Sequence, residues 1–504
     1  MKPRTLRVQS AVTAFQPHSA GDCAALARRV GDDFCPSLVC KKKGNMTLAK
    51  TIVPVHRGDQ LTSTVTDLTY EGMGVVKQDG YPLFVENALP GEEVTVQVTK
   101  TNKQYGFAQL VKRLTSSPDR VEGEFTDYLQ TGIAPLAHLK YAAQLKFKQQ
   151  QVEHLFAAQH LAVKVLPTLP SPVQTGYRNK AQIPVQMIDG ELTTGFYRKR
   201  SHRLVPMTDF FIQDPRIDEI IVTVRDILRD LDIAAYDERT HRGVVRHIMV
   251  RRGRATGEVM VVLVVTKVVP ALRQAADLIK ANVTDLTTLL WNVNSENTNV
   301  ILSDKNQMIS GPGYIEDKIG ERRFKISPQS FFQINSTQTP RLYHIAQELA
   351  EFTGKETVID AYSGIGTIGL TIAAQVKHVY GMEVVPAAVK DAQANAHLNH
   401  VDNAEYTVGT AEAVLPRWQK AGIKADVCIV DPPRKGLASS FIDVLKEMNV
   451  PRIIYVSCNP ATLARDLVHF QDLGYAITSP TQVVDMFPQT PHIESVTRLD
   501  LQEK

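Results

Sequence analysis

The run TVIDAYSGIGTIGLTIAAQ, residues 357–375, passes from an apolar strand pattern through a glycine turn into a helical pattern. Gly364, Gly366 and Gly369 stand in the spacing G-x-G-x-x-G between the two, the context in which a glycine loop brings backbone N–H groups up to a nucleotide-like ligand. The same rhythm continues outward. Strand-like segments recur at 357–361, 378–383, 404–408, 425–430, 452–456 and 492–500, with helical patterns between them. Such alternation predicts an α/β, doubly wound and largely parallel sheet over 326–504.

The glycines alone fit a dinucleotide as readily as S-adenosylmethionine. Glu383 ends the next strand, VYGME, where it can meet ribose hydroxyls. Two features favour the methyl donor. Asp360 closes the strand before the glycines, and ADVCIVDPPRKG (425–436) ends in Asp431-Pro432-Pro433. An acid followed by two prolines at a strand end suits holding a planar base beside a donor methyl, because Pro-Pro cannot continue the ladder. Read as an ordinary turn, the prolines would leave the company of Asp360 and Glu383 unexplained.

YVSCNPATLARD (455–466) then sets Cys458 at the mouth of a strand, just before a proline turn. A packing cysteine more usually sits inside an element, whereas strand ends are where α/β sheets expose their chemistry. Methylating an exocyclic amine needs no thiolate. Methylating carbon 5 of a pyrimidine does, because a thiolate added to carbon 6 makes carbon 5 nucleophilic. The adduct must later lose the hydrogen on carbon 5. Glu494, where the last strand of MFPQTPHIESVTRLDL (486–501) begins, is the candidate base. His492 is its rival, although a buried structural histidine is the commoner reading of that residue. The helix after Asn459-Pro460 is expected to lower the Cys458 pKa through its N-terminus.

Elsewhere the 504-residue chain has ordinary soluble composition, 43% hydrophobic and 22% charged, with a net charge of +4. That charge is too small to argue for nucleic acid by itself. No apolar run reaches the roughly 18–20 residues of a membrane span. Five scattered cysteines predict a reduced, cytoplasmic setting rather than a disulfide framework. Residues 1–54 read as a disordered extension or a start placed too far upstream, with Met46 the natural beginning. A zinc site on Cys23, Cys35 and Cys40 is disfavoured, and no metal is expected. Short β runs split by glycines over 55–115 predict a small OB-like barrel. Residues 116–325 read as a helical linker followed by a mixed α+β domain. There YRKRSHR (197–203) and the arginine-rich, acid-free RTHRGVVRHIMVRRGR (239–254) predict a cationic sheet face for RNA phosphates. Arg198, Lys199, Arg200, Arg246 and Arg251 are the candidates for contact with RNA, against the commoner reading of a solvated charged face.

SPQSFFQIN (327–335), DAYSGIGTIGL (360–370), DPPRKG (431–436), SCNPATLARD (457–466) and PHIESV (491–496) together resemble the signature set of the RNA 5-methyluridine methyltransferases. The likeness covers nearly everything after about residue 50. It implies a C-terminal Rossmann-like class I methyltransferase domain, and it makes the barrel a TRAM domain. It further implies Cys458 as nucleophile and Glu494 as base. Gln333, Tyr362, Glu383 and Asp431 would contact S-adenosylmethionine, and Asp431 would help orient the uracil. One branch of that family holds an iron–sulfur cluster on cysteines just before an HL-x-Y-x-x-QL motif. Here the motif stands at 138–145, but Phe125, Thr131 and Ala134 occupy the region of the ligands, so no cluster is expected. This resembles the cluster-free 23S rRNA methyltransferases of Gram-positive bacteria, and nothing in it demands more than a monomer. A tRNA uridine enzyme, a cytosine enzyme (disfavoured because Cys428 lies inside its strand) and a non-catalytic RNA-binding or RNA-folding protein are the alternatives.

Overall fold

Residues 53–502 are described by a computed structural model, and they divide into two units. One holds the chain up to Gly132 together with Tyr197–Arg203, and the other holds Ile133–Phe196 and everything from Leu204 onward. The expectations placed on residues 1–45, and on Cys23, Cys35 and Cys40, lie outside the described residues.

In the smaller unit one bent run closes a barrel. Its first half, Gln60–Thr64, pairs with Glu93–Thr101, and its second, Asp67–Leu68, pairs with Gly74–Gln78. Tyr81–Val85 and Gly106–Arg113 complete the six-stranded sheet between them. Alternation along the strands turns Val76, Leu83, Val85, Val94, Val96 and Val98 into one apolar interior. At its rim the buried Glu92 carboxylate takes two bonds from the Arg120 guanidinium, at 2.5 and 2.8 Å.

The larger unit carries two sheets. The first has seven strands, in the order Leu204–Pro206, Glu191–Tyr197, Lys180–Ile188, Val245–Arg252, Val259–Val265, Leu286–Val293 and Asn306–Ser310. VMVVLVV at 259–265 is buried at every position, as a β-branched run in mid-sheet should be. Helix Pro215–Asp230 starts on an Asp214 cap, whose carboxylate accepts the Arg216 N–H at 3.0 Å.

Here one expectation needs correction. Arg246 and Arg251 form no exposed cationic row, because their strand lies between two others and is covered on both faces. The Arg246 guanidinium donates to the carbonyls of Asn294, Glu296 and Thr298 at 2.8–3.2 Å. Arg251, 2% exposed, donates to those of Ser327 and Ser330, and burial pushes its pKa down to about 10. Both are internal ties for loops.

The second sheet runs Ala404–Val408, His378–Glu383, Thr357–Ala361, Val427–Val430, Arg452–Ser457, Glu494–Leu501, Thr481–Val484 and Val165–Leu169, and Tyr475–Ile477 pairs with Glu494–Leu501. The strands are parallel as far as Arg452–Ser457, and Glu494–Leu501 runs antiparallel to its neighbours. This is the Rossmann-like sheet expected over 326–504, enlarged by Val165–Leu169 from the preceding region. Among the described residues no helix is long and apolar enough to cross a membrane.

Candidate active site

The glycine turn is built on positive φ angles at Tyr362 (64°), Gly364 (55°) and Gly366 (82°). A Cβ on Gly366 would stand 2.7 Å from the Tyr406 hydroxyl, so the turn needs glycine there, while a Cβ on Gly364 would meet nothing within 4 Å. The Gly364 N–H donates to Glu383 Oε2 at 3.3 Å, and Glu383 Oε1 accepts the Val385 N–H at 2.9 Å. The acid that ends the second strand is therefore tied directly to the turn after the first. Asp360 accepts the Gly369 N–H at 2.9 Å. Burial, with Asp431 and Glu383 nearby, pushes the Asp360 carboxyl up to about 7 against that bond. The buried Ser363 hydroxyl has no hydrogen-bond partner in the described structure, which leaves it available to a ligand. Tyr362 packs edge-on against Phe441, and Gln333 is held by Asn179 Nδ2, which donates to its carbonyl at 2.9 Å.

The catalytic candidates meet through strand register. Ser457 pairs with Ser495 in antiparallel fashion, so one step further sets Cys458 opposite Glu494. Cys458 itself lies just past the strand end, near enough to Glu494 for that carboxylate to act on its thiol. On the other side Val430 pairs with Tyr455, which brings Asp431 to the same end of the sheet. The loop after Asp431 is clamped by the helix Pro460–Asp472. Asn459 Nδ2 and Thr462 Oγ1 donate to the Arg434 carbonyl at 2.8 and 3.3 Å, and Asp466 accepts the Leu437 N–H at 2.8 Å. The same Asn459 caps the helix by accepting the Ala461 N–H at 3.2 Å.

Electrostatics sort the roles. Glu494 is buried, its Oε2 lacks a hydrogen-bond partner, and burial together with Asp431 holds its carboxyl well above the usual range despite Arg434. A carboxylate so raised is a stronger base than a solvated one. Burial likewise pushes Asp431 up to about 7. His492 precedes the strand, which begins at Glu494, and its ring packs edge-on against Phe487. Burial and the charges of Arg434, Lys148 and Arg178 press its pKa down to about 3, too low for an effective base near neutrality. Glu494 is the better candidate.

The Cys458 expectation is corrected in direction. Burial, then Glu494 and Asp431, push its thiol up, and Arg434 opposes them only in part. Burial is the larger cause, and the two carboxylates add to it, so the expected lowering by the helix N-terminus does not prevail. Removing one of them should therefore ease ionisation. Asp431→Asn is expected to move the acidic limb of the kcat/KM–pH profile to lower pH by about one pH unit, read on whatever activity remains. A limb that stays put or moves up would contradict this assignment of the charges.

The structure thus gathers Cys458, Glu494, Asp431, Tyr362, Glu383 and the glycines at strand ends of one sheet, with Gln333 in the same unit. Arg198, Lys199 and Arg200 belong to the smaller unit. There Lys199 lies 3.5 Å from Glu86, and the Arg200 guanidinium sits 4.8 Å above the Phe107 ring. Sequence reasoning missed Arg434, whose charge acts on Cys458, Glu494 and His492. Its position directly after Asp-Pro-Pro was the available signal. Among the described residues no group of three or more His, Cys, Asp or Glu is arranged to hold a metal ion.

Comparison with known proteins gives the following. Residues 140–501 match the tRNA (uracil-5-)-methyltransferase family, and residues 54–111 match the TRAM domain. An uncharacterized RNA methyltransferase of Lactiplantibacillus plantarum is 52% identical over 456 residues, covering 90% of this chain and 100% of that protein. One from Halalkalibacterium halodurans is 46% identical over 457 residues, covering 90% of this chain and 100% of its own. Among solved structures, the tRNA (uracil-54, C5)-methyltransferase of Pyrococcus abyssi, in complex with S-adenosyl-L-homocysteine, superposes with a TM-score of 0.70. It shares 28% identity and covers 87% of this chain and 99% of its own.

Proposed function

The chain belongs to the tRNA (uracil-5-)-methyltransferase family, and from that premise we propose that it methylates carbon 5 of a uridine in RNA, with S-adenosylmethionine as donor and 23S rRNA as substrate. The observation that carries the reading is the register that sets Cys458 opposite Glu494, with Asp431 at the neighbouring strand end.

Gln333, Tyr362, Gly364, Gly366, Glu383 and Asp431 would hold the donor. The open space beside Gly364 and the partnerless Ser363 hydroxyl fit a polar ligand at the turn. When bound, S-adenosylmethionine supplies an electrophilic methyl group. The remaining work falls to the protein. The target uridine must leave its stack, because carbon 6 is shielded within it. The Cys458 thiolate, favoured by the Arg434 charge, adds to carbon 6 and pushes the C5–C6 π pair toward the C4 oxygen. The pair would return through carbon 5 to take the methyl group, whose bond to the donor sulfur would break to leave a neutral thioether. Glu494 then takes the hydrogen on carbon 5 as a proton, the C–H pair re-forms the C5–C6 double bond, and the C6–S bond breaks to return the thiolate.

RNA would be gripped in part by the exposed turn at Arg198, Lys199 and Arg200. Replacing all three with Gln is expected to raise the RNA KM about three- to tenfold at unchanged kcat. The log-log salt slope should flatten by about 0.7 per lost phosphate contact. Salt titrations of the KM measure it.

A tRNA substrate is the second reading, favoured by the likeness to the tRNA (uracil-54, C5)-methyltransferase of Pyrococcus abyssi, which extends over 87% of the chain. The deciding experiment supplies labelled S-adenosylmethionine with separate pools of unmodified 23S rRNA and tRNA, followed by nucleoside analysis. Label in 5-methyluridine from rRNA supports the full proposal. Label only from tRNA keeps the chemistry and replaces the substrate. Label in another nucleoside overturns both.

A further inference from the structure

We propose that the buried ion pair between Lys148 and Asp485, with Tyr141 bonded to the same carboxylate, is a positioning device that holds Glu494 for removal of the carbon-5 proton. It rests on the uracil-C5 reading above and names residues beyond the motifs that led to it.

The argument begins at a hairpin. Val484 pairs with Glu494, so residues 485–493 are the loop of a hairpin whose last paired residue is the base itself. Asp485 is the first residue of that loop. The helix Tyr141–Ala158 grips it from one face, since Tyr141, Gln144 and Lys148 recur at helical spacing. Lys148, wholly buried, places Nζ 2.5 Å from Asp485 Oδ1 and 3.0 Å from the Phe487 carbonyl. The Tyr141 hydroxyl donates to Asp485 Oδ2 at 2.8 Å. Gln144 completes the grip: its Nε2 donates to Gln489 Oε1 at 2.9 Å, and its Oε1 accepts the Gln489 N–H at 2.9 Å. Gln489 is thereby held at a φ of 68°, a conformation that a non-glycine residue keeps only where its surroundings impose it.

Two further observations tie this grip to Glu494 rather than to general packing. The Glu494 Oε2 is buried with no hydrogen-bond partner, so that oxygen owes its placement to the backbone that presents it and not to a side-chain tie. Phe487, whose carbonyl Lys148 holds, packs edge-on against His492, two residues from the base. A buried ion pair is a costly way to hold a loop that apolar contacts could cover, and directional fixing of a position is what such a pair adds.

A loosened hairpin would spare the addition of Cys458 and the methyl transfer but slow proton removal. The methylated covalent enzyme–RNA adduct would then persist. The test compares Tyr141→Phe and Lys148→Met with wild type and with Glu494→Gln on unmodified RNA. It measures kcat, both KM values, the adduct on denaturing gels and the folded fraction by circular dichroism. Displacing a catalytic group by about 1 Å costs on the order of a hundredfold. We expect kcat to fall about tenfold in Tyr141→Phe and further in Lys148→Met, with both KM values within about twofold of wild type. Adduct should accumulate as in Glu494→Gln. A kcat that falls only in step with the folded fraction, with adduct at the wild-type level, would overturn the proposal. Should Lys148→Met fail to fold, Tyr141→Phe, which keeps the ion pair, decides alone. Wild type that makes no 5-methyluridine would sink the functional reading instead, a separate result.

Discussion

Cys458→Ala should abolish methyl transfer, lowering kcat/KM by at least about a thousandfold, while the protein folds and binds S-adenosylmethionine as before. Cys458 is partly buried at a strand end, and what shapes that corner is its neighbour Asn459, through the helix cap and the bond to the Arg434 carbonyl. Alanine at 458 removes none of these bonds. A cysteine there for packing would show the opposite pattern, a lower Tm at unchanged turnover. Labelled-methyl transfer and thermal melts on the same preparation separate the two. A variant that transfers methyl at the wild-type rate removes covalent catalysis from the account.

Glu494→Gln should also cripple turnover, with kcat down about a hundred- to ten-thousandfold, but the species that accumulates differs. The thiolate can still add and carbon 5 can still be methylated, so the enzyme stops as a covalent adduct that carries the methyl group. Loss of the Glu494 charge even eases ionisation of Cys458, because that carboxylate is one of the groups pushing the thiol up. Denaturing gels with labelled S-adenosylmethionine should show a shifted, labelled enzyme band in Glu494→Gln and none in Cys458→Ala. Equal behaviour of the two variants would place Glu494 in some role other than elimination.

The sheet was legible because parallel strands buried on both faces write continuous apolar runs, as in VCIV and RIIYVS. The cofactor and catalytic candidates sit where those runs end, and local order alone set Asp431, Cys458 and Glu494 at strand termini. Val165–Leu169 was not legible as part of the same sheet, since its partner Thr481–Val484 is remote in sequence and no local pattern encodes that pairing. The arginines of 245–252 misled for a related reason. Alternation shows which side chains share a face, but not whether loop carbonyls cover it, as they cover Arg246 and Arg251. The upward push on Cys458 was missed because only the helix beside it was weighed, while the burial that dominates, and the carboxylates that add to it from two other strands, come from tertiary packing. Lys148 reads as an ordinary surface lysine of a helix until Asp485 is set against it.

The most direct test is to incubate the protein and S-adenosylmethionine with RNA that carries 5-fluorouridine at the modified position. Fluorine in place of the carbon-5 hydrogen cannot leave as a positive ion, so the reaction should stop after methyl transfer. The expected result is a stable enzyme–RNA adduct bearing one methyl group, mapped by peptide mass spectrometry to Cys458. An adduct mapped to another residue, or methylation of uridine in RNA with no adduct from the fluorinated substrate, would contradict the account.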